Sequence, residues 1–248
     1  MSAKIIVVLP AYKAERTIAA TIKSLPPVYD QIILCDDSSP DRTVEVAQSL
    51  GIEVLQHAHN RGYGANQKTL YAAALKYNPD IIVMVHPDNQ YSAEWLSQGI
   101  EQILHNQADY VLGNRMAHAR ADGMPLWRYV SNRFLTFWQN WFFGSQLSEF
   151  HSGLRLYRAS LIADMPVERF SDDFVFDSET IAWAFAHGYK FGQMPTRCFY
   201  GLQESSINFS RSLRYGLDTL KVLIRYKVGY YHRLGKRIKT TTVRSDIK

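Results

Sequence analysis

Short apolar runs and helix-spaced stretches alternate through the first half of the chain. Residues 5–9 (IIVVL), 31–35 (QIILC) and 81–85 (IIVMV) are continuous apolar runs, as expected of strands covered on both faces. Residues 52–56 and 110–113 read as shorter strands. Between these runs, residues 15–25, 41–50, 62–77 and 92–106 carry apolar positions at helical spacing. Pro10 and Ala11 are expected to end the first strand. This rhythm predicts an α/β domain, with a mostly parallel central sheet flanked by helices. Ligands of such sheets sit beyond the carboxyl ends of the strands. Residues 10–15, 36–41 and 86–90 all fall there.

The second half is less regular. Residues 126–143 (LWRYVSNRFLTFWQNWFF) place Trp127, Phe134, Trp138, Trp141 and Phe142 at helix-compatible spacing, interrupted by Arg128 and Arg133. Two readings stay open for this stretch: a helix packed on the core, or a partly exposed amphipathic helix near a lipid or sugar acceptor. Residues 177–187 read as helical, and 212–232 as a helix with apolar and basic faces. The expected division is a catalytic domain over 1–211, then an amphipathic helix and basic tail over 212–248.

Composition changes this picture little, but charge placement changes it more. The 248 residues are 46% hydrophobic and 21% charged, an ordinary globular balance. The formal net charge is +5. Residues 221–248 hold nine Lys or Arg against one acid, Asp246, for a net +8; residues 1–220 therefore carry −3. A uniformly basic nucleic-acid binder is disfavoured, and no nucleic-acid partner is expected. The tail is either a solvated segment or a contact for an anionic membrane surface. Two cysteines, Cys35 and Cys198, are too few for a disulfide scaffold and point to a reducing, cytoplasmic setting. The first apolar run is too short for a signal-peptide core, and no run approaches the ~18 apolar residues of a membrane span. The expectation is a cytoplasmic protein, soluble or peripheral on the inner face of a membrane.

Three polar segments carry chemistry. Pro10-Ala11-Tyr12-Lys13-Ala14-Glu15 leaves the first strand, where backbone N–H groups can meet a nucleotide. Asp36-Asp37-Ser38-Ser39-Pro40-Asp41 follows the second; adjacent carboxylates there are costly unless something uses them, although Asp41 also suits a helix cap. His86-Pro87-Asp88-Asn89-Gln90 follows the 81–85 run and concentrates metal-capable atoms, as a cation holding a diphosphate requires. Alone, the first also reads as a helix start with Glu15 in its first turn, the second as a capped turn, and the third as a polar loop.

Together they resemble glycosyltransferase family 2, the inverting nucleotide-sugar transferases. The segments are VVLPAYKAERTI, ILCDDSSPDRT, NRGYGANQKT and VMVHPDNQYS, in that order. VLGNR and SEFHSGLRLY further resemble the polyprenyl-phosphate branch typified by dolichol-phosphate mannose synthase. The resemblance implies a single GT-A, Rossmann-like nucleotide-binding domain and a divalent metal, Mn2+ or Mg2+. It implies nucleotide contacts from Pro10, Tyr12, Glu15, Asp36, Asp37 and Gly64. Asp88 and Gln90 fall at metal positions, and Arg115 and Arg155 at phosphate-holding ones. His86 stands where the family has an aspartate; it is either a ligand that shifts metal preference away from Mg2+ or a spectator.

The implied reaction moves a sugar from a UDP- or GDP-linked donor to a polyprenyl phosphate, or alternatively to a saccharide or other hydroxyl acceptor. A hydroxyl acceptor needs a base, for which Asp177 and Glu179 are candidates; both also suit the first turn of a helix. A nucleotide-sugar binder without turnover is the reading from another class. A nucleotidyltransferase is disfavoured, because residues 10–16 (PAYKAER) lack a glycine-rich basic loop.

Overall fold

The structure, a computed structural model, describes residues 3–92, 94–200 and 209–236, with side chains in the last segment from residue 212 onward. Seven strands form one sheet: β1 (Ile5–Ala11), β2 (Gln31–Asp36), β3 (Glu53–Gln56), β4 (Ile81–Met84), β5 (Tyr110–Asn114), β6 (Arg155–Arg158) and β7 (Phe191–Pro195). Their order is β3-β2-β1-β4-β6-β5-β7. All pairs are parallel except those of β6, which runs antiparallel to both β4 and β5. Successive residues of β1 face opposite sides, so Ile6 and Val8 join one core while Ile5, Val7 and Leu9 join the other. Burial on both faces explains why β1, β2 and β4 read as unbroken apolar runs.

The helices are α1 (Ile18–Ser24), α2 (Thr43–Ser49), α3 (Tyr63–Leu75), α4 (Leu96–Leu104), α5 (Leu126–Phe143), α6 (Ala159–Asp164), α7 (Phe176–Ala186), α8 (Phe209–Lys227) and α9 (Tyr230–Arg233). The expected mostly parallel α/β sheet is present. Several boundaries differ. β1 continues through Pro10 and Ala11, which pair with Cys35 and Asp36. Proline is tolerated there because pairing with β4 has already ended at Val8, so the ladder continues on one side only. The helical stretch 212–232 is broken at Gly229, whose φ of 76° separates α8 from α9. Strands β6 and β7 had no counterpart in the apolar pattern. The C-terminal helices belong to the same body: α8 packs on α5 and α7, and the Trp183 indole N–H donates to the Leu234 carbonyl at 2.9 Å. Residues 237–248, most of the basic tail, lie outside the described residues.

Chain order reverses at β1, with β2 on one side and β4 on the other. Such a switch point opens a crevice at the carboxyl ends of the strands. The antiparallel β6 brings its start to that same end, because Arg155 is in register with Met84 and with Leu112. The segments before β6 and after β5 therefore meet the segment after β4.

Candidate active site

One corner of the crevice gathers the ends of β1 and β2 with residues 57–62. The Asp37 amide donates to the Ala11 carbonyl at 2.9 Å, and the Lys13 amide to Ser39 Oγ at 2.8 Å. Asp37 Oδ1 accepts from the Arg61 amide and His57 Nδ1, and Oδ2 from the Gly62 amide. Asp37 thus organises the loop that delivers α3. Asp36 is fully buried; its Oδ2 accepts from the Ser39 amide, and its Oδ1 has no hydrogen-bond partner. Glu15 Oε2 accepts from the Arg42 amide at 2.9 Å, tying the 10–15 segment to the acidic turn. Tyr12 is exposed at the mouth. Gly64 is buried beneath, where a Cβ would lie 2.4 Å from the Ser171 carbonyl oxygen. It lets the start of α3 pack closely on residues 171–172.

The second corner follows β4. Asp88 is partly exposed, and its Oδ1 accepts from the Gln90 amide at 3.1 Å. His86 Nε2 lies 2.9 Å from the Tyr63 hydroxyl, and the two rings stack at 5.4 Å. Tyr63 spends its one hydroxyl proton on Asp177 Oδ2 at 3.1 Å. Asp177 offers only acceptors, so this pattern assigns the imidazole proton to Nε2 and leaves Nδ1 with a free lone pair. Burial pushes His86 below the ordinary histidine range, while Asp88 and Asp177 pull the other way. The neutral ring that results is the form able to ligate a metal. The ring's place requires Gly153, where a Cβ would fall 2.5 Å from His86 Cδ2.

The arginines and acids of the second half are largely engaged inside the fold. Arg155 is 1% exposed; its Nη1 lies 2.6 Å from Asp177 Oδ1, which also accepts from Gln67 Nε2 at 2.9 Å. Burial opposes the charge on Arg155, but the Asp177 carboxylate together with Tyr110, Tyr157 and Tyr63 outweighs it, leaving the guanidinium held well above its usual range. Arg115 donates from Nε to Glu149 Oε1 at 2.8 Å and from Nη2 to the same oxygen. Its Nη1 reaches the Tyr200 and Tyr91 hydroxyls at 3.1 and 3.4 Å. Burial works against the Glu149 charge too, yet Arg115 holds its carboxyl below the usual range. Arg115 and Arg155, expected at phosphate-holding positions, each sit beneath the crevice, paired to a buried acid. Glu149, the partner of Arg115, and Tyr63, which joins His86 to Asp177, were missed, because both are supplied by tertiary contact. Glu179 is not brought to the His86–Asp88 corner. It accepts from the Ser171 amide at 2.6 Å and the Tyr231 hydroxyl at 3.3 Å, closing α7 against α9.

Among the described residues, no three His, Cys, Asp or Glu side chains gather into a metal cage. A cation shared with a diphosphate asks less of the protein, one or two carboxylates with phosphate and water completing the shell. A partly exposed carboxylate at Asp88 beside a neutral His86 suits that kind of site.

Residues 6–165 match the family described as glycosyl transferase family 2. The chain belongs to that family. It is 30% identical over 227 residues to an uncharacterized protein of Methanocaldococcus jannaschii, covering 91% of this chain and 93% of that one. It is 25% identical to the UDP-N-acetylglucosamine–dolichyl-phosphate N-acetylglucosaminyltransferase of Methanococcus voltae, covering 91% and 96%. It is 24% identical to a dolichyl-phosphate hexose transferase of Haloferax volcanii, covering 76% and 80%. The names of the latter two relatives support the polyprenyl-phosphate branch of the family. Among solved structures, glucosyl-3-phosphoglycerate synthase of Mycobacterium tuberculosis, in complex with Mn2+, UDP and phosphoglyceric acid, superposes with a TM-score of 0.69 at 16% identity, over 91% of this chain and 78% of that one. The fold is GT-A.

Proposed function

We propose that this protein transfers a sugar from a UDP- or GDP-sugar to a polyprenyl phosphate at a membrane surface, with inversion at the anomeric carbon. The observation that carries this reading is the engagement of Asp177, which accepts hydrogen bonds from Gln67 and Tyr63 and pairs with the buried Arg155. A hydroxyl acceptor needs a free carboxylate to take its proton. A phosphate acceptor is already anionic and needs none. The names of the dolichyl-phosphate transferases in Methanococcus voltae and Haloferax volcanii support the same acceptor class.

In this reading Tyr12, Glu15 and the Asp36–Asp37 turn bound the nucleoside corner, with Asp37 facing the base. Asp88, assisted by Gln90 and the Nδ1 of His86, holds a divalent cation. When bound, that cation neutralises charge building on the leaving diphosphate. Arg155 fixes Asp177, and Asp177 fixes Tyr63, so His86 keeps one orientation and one tautomer. Arg115 sits as a fixed positive charge among Tyr91, Tyr200 and Glu149, on the side from which residues 151–155 approach His86. The acceptor attacks from the face opposite the diphosphate, and its oxygen brings its own negative charge.

The test is a transfer assay with radiolabelled UDP- and GDP-sugars, in Mn2+ and in Mg2+. Label is expected in an organic-extractable lipid when polyprenyl phosphate is supplied, and not when the free polyprenol is supplied. Label appearing only in water-soluble glycans overturns the proposal. Donor binding without transfer or hydrolysis favours the binder without turnover.

A further inference from the structure

Glu179 is a buried acid that the proposed reaction leaves without a task. It is 5% exposed, and burial lifts its carboxyl above the ordinary range even though the Ser171 amide, Arg225, the Tyr231 hydroxyl and Lys68 all favour the charge. A carboxylate kept inside is costly unless something uses it. Its two oxygens serve different segments. Oε2 accepts from the Ser171 amide at 2.6 Å. Oε1 accepts from the Tyr231 hydroxyl of α9 at 3.3 Å and lies 3.7 Å from Arg225 Nη1 of α8.

Ser171 belongs to residues 170–174, which lead into α7 and press on the start of α3. That helix begins after Gly62, which has no side chain to cap its first amides. The Asp172 carbonyl caps them instead, accepting from the amides of Gly64 at 2.7 Å and Ala65 at 3.3 Å. Lys68, one turn further along, donates to the Phe170 carbonyl at 2.5 Å and to Asp172 Oδ1 at 2.6 Å. The contact is backbone on backbone: a Cβ at Gly62 would lie 2.6 Å from the Asp172 carbonyl oxygen. Such a joint has no slack, so a shift of Ser171 moves the start of α3. Tyr63 is the first residue of that helix. The Phe174 ring stacks on Tyr63 at 5.1 Å, with 23° between the planes, and Tyr63 stacks in turn on His86. The segment that Glu179 holds therefore sets Tyr63 twice, through its backbone and through its ring.

We infer that Glu179 is a positioning residue: by holding residues 170–174 it places Tyr63, and through Tyr63 the imidazole of His86. Because Oε1 is shared with α8 and α9, the packing of these C-terminal helices on α7 reaches the metal corner by the same route. The inference rests on the proposed role of His86 toward a cation, and it assigns Glu179 no proton transfer. The two roles differ in what they demand of the side chain. A base needs an ionisable oxygen, whereas a holder needs only matching hydrogen bonds. A Gln at 179 can accept from Ser171 with its oxygen and donate to the Tyr231 oxygen with its amide, while Arg225, whose side chain is 55% exposed, turns to water. A Leu can do neither.

The experiment follows the imidazole rings of the full chain, with isotopic nitrogen at histidine and no metal, by long-range proton–nitrogen correlation at neutral pH. His86 is assigned by the signals that His86→Gln removes. Wild type is expected to carry the His86 proton on Nε2. E179L is expected to give a mixture of tautomers, E179Q the wild-type pattern, and Y231F, which frees only the α9 end, a smaller change in the direction of E179L. Calorimetry of UDP and GDP with and without Mn2+ reads the consequence. E179L should lose about tenfold or more of the affinity that Mn2+ adds, E179Q should recover most of it, and metal-free nucleotide binding should stay as in wild type. A wild-type His86 pattern in E179L, or a loss in E179Q as large as that in E179L, overturns the inference. Should E179L not fold, F174A removes the ring contact without touching Glu179, and wild-type patterns in both F174A and Y231F overturn it equally. An altered His86 pattern with Mn2+-dependent binding unchanged would instead count against His86 as a metal ligand and leave the positioning role standing.

Discussion

Arg155 and Asp177 form a buried ion pair, Nη1 to Oδ1 2.6 Å, directly beneath the crevice. Neither residue can be removed alone without leaving the other's charge inside the protein. Breaking a buried pair from one side costs about 3–5 kcal/mol, whereas replacing both members with apolar groups is often near neutral. Arg155→Met and Asp177→Leu are each expected to lose several kcal/mol in urea unfolding, and R155M/D177L to lose less than their sum. Additive losses would show that the pair has no mutual role.

Asp88 differs in being partly exposed and in bracing only the Gln90 amide. Asp88→Ala is expected to leave the melting temperature within a few degrees of wild type. The same change should remove the stabilisation that Mn2+ adds to bound UDP, measured by calorimetry with and without metal. Equal metal-dependent UDP binding in wild type and variant would displace Asp88 from the metal site.

His57 reaches Asp37 through Nδ1 at 2.7 Å and Thr69 through Nε2 at 2.9 Å. It therefore orients the carboxylate that the proposed function sets toward the nucleoside. His57→Phe is expected to raise the donor KM about tenfold or more, with kcat at saturating donor changed little and competition by free pyrophosphate unaffected. His57→Gln, which keeps a donor, should recover part of the loss. Equal weakening of UDP and pyrophosphate would make His57 a general stability residue.

Burial drives the His151 pKa down to about 4 from an ordinary value of 6.5. The folded state resists a proton that the unfolded state accepts below pH 6.5. His151 therefore contributes full stability above that pH and loses it progressively as pH falls from about 6.5 to about 4, at about 1.4 kcal/mol per unit. The difference in urea midpoint between wild type and His151→Phe should shift by that slope across this window. A difference independent of pH would remove His151 as the source.

Much of the fold was legible because its signals are local. An unbroken apolar run such as 5–9 or 81–85 announces a strand with both faces covered, and the helix over 126–143 was read with its observed bounds. β6 and β7 were not legible. β6 carries Arg155 and Arg158 in four residues, and its place depends on pairing with β4 and β5, far away in sequence. The same holds in the site. Asp37 and Asp88 stand beside strand ends that the pattern locates, so their position could be read. The use of Arg155, Glu149 and Tyr63 could not, since each is defined by a partner 22 to 114 residues away.

What the sequence determined by itself is the alternation of strands and helices through the first half, the family and the three polar segments at the crevice, because periodicity and motif spacing are properties of neighbouring residues. Tertiary structure alone decided which charges are spent inside and which face outward. It turned Arg155 toward Asp177, gave His86 its tautomer through Tyr63, and left the aromatic stripe of α5 facing outward. Those outcomes depend on burial and on contacts between distant segments, and a buried charge or an exposed apolar face acquires its meaning only from what lies against it.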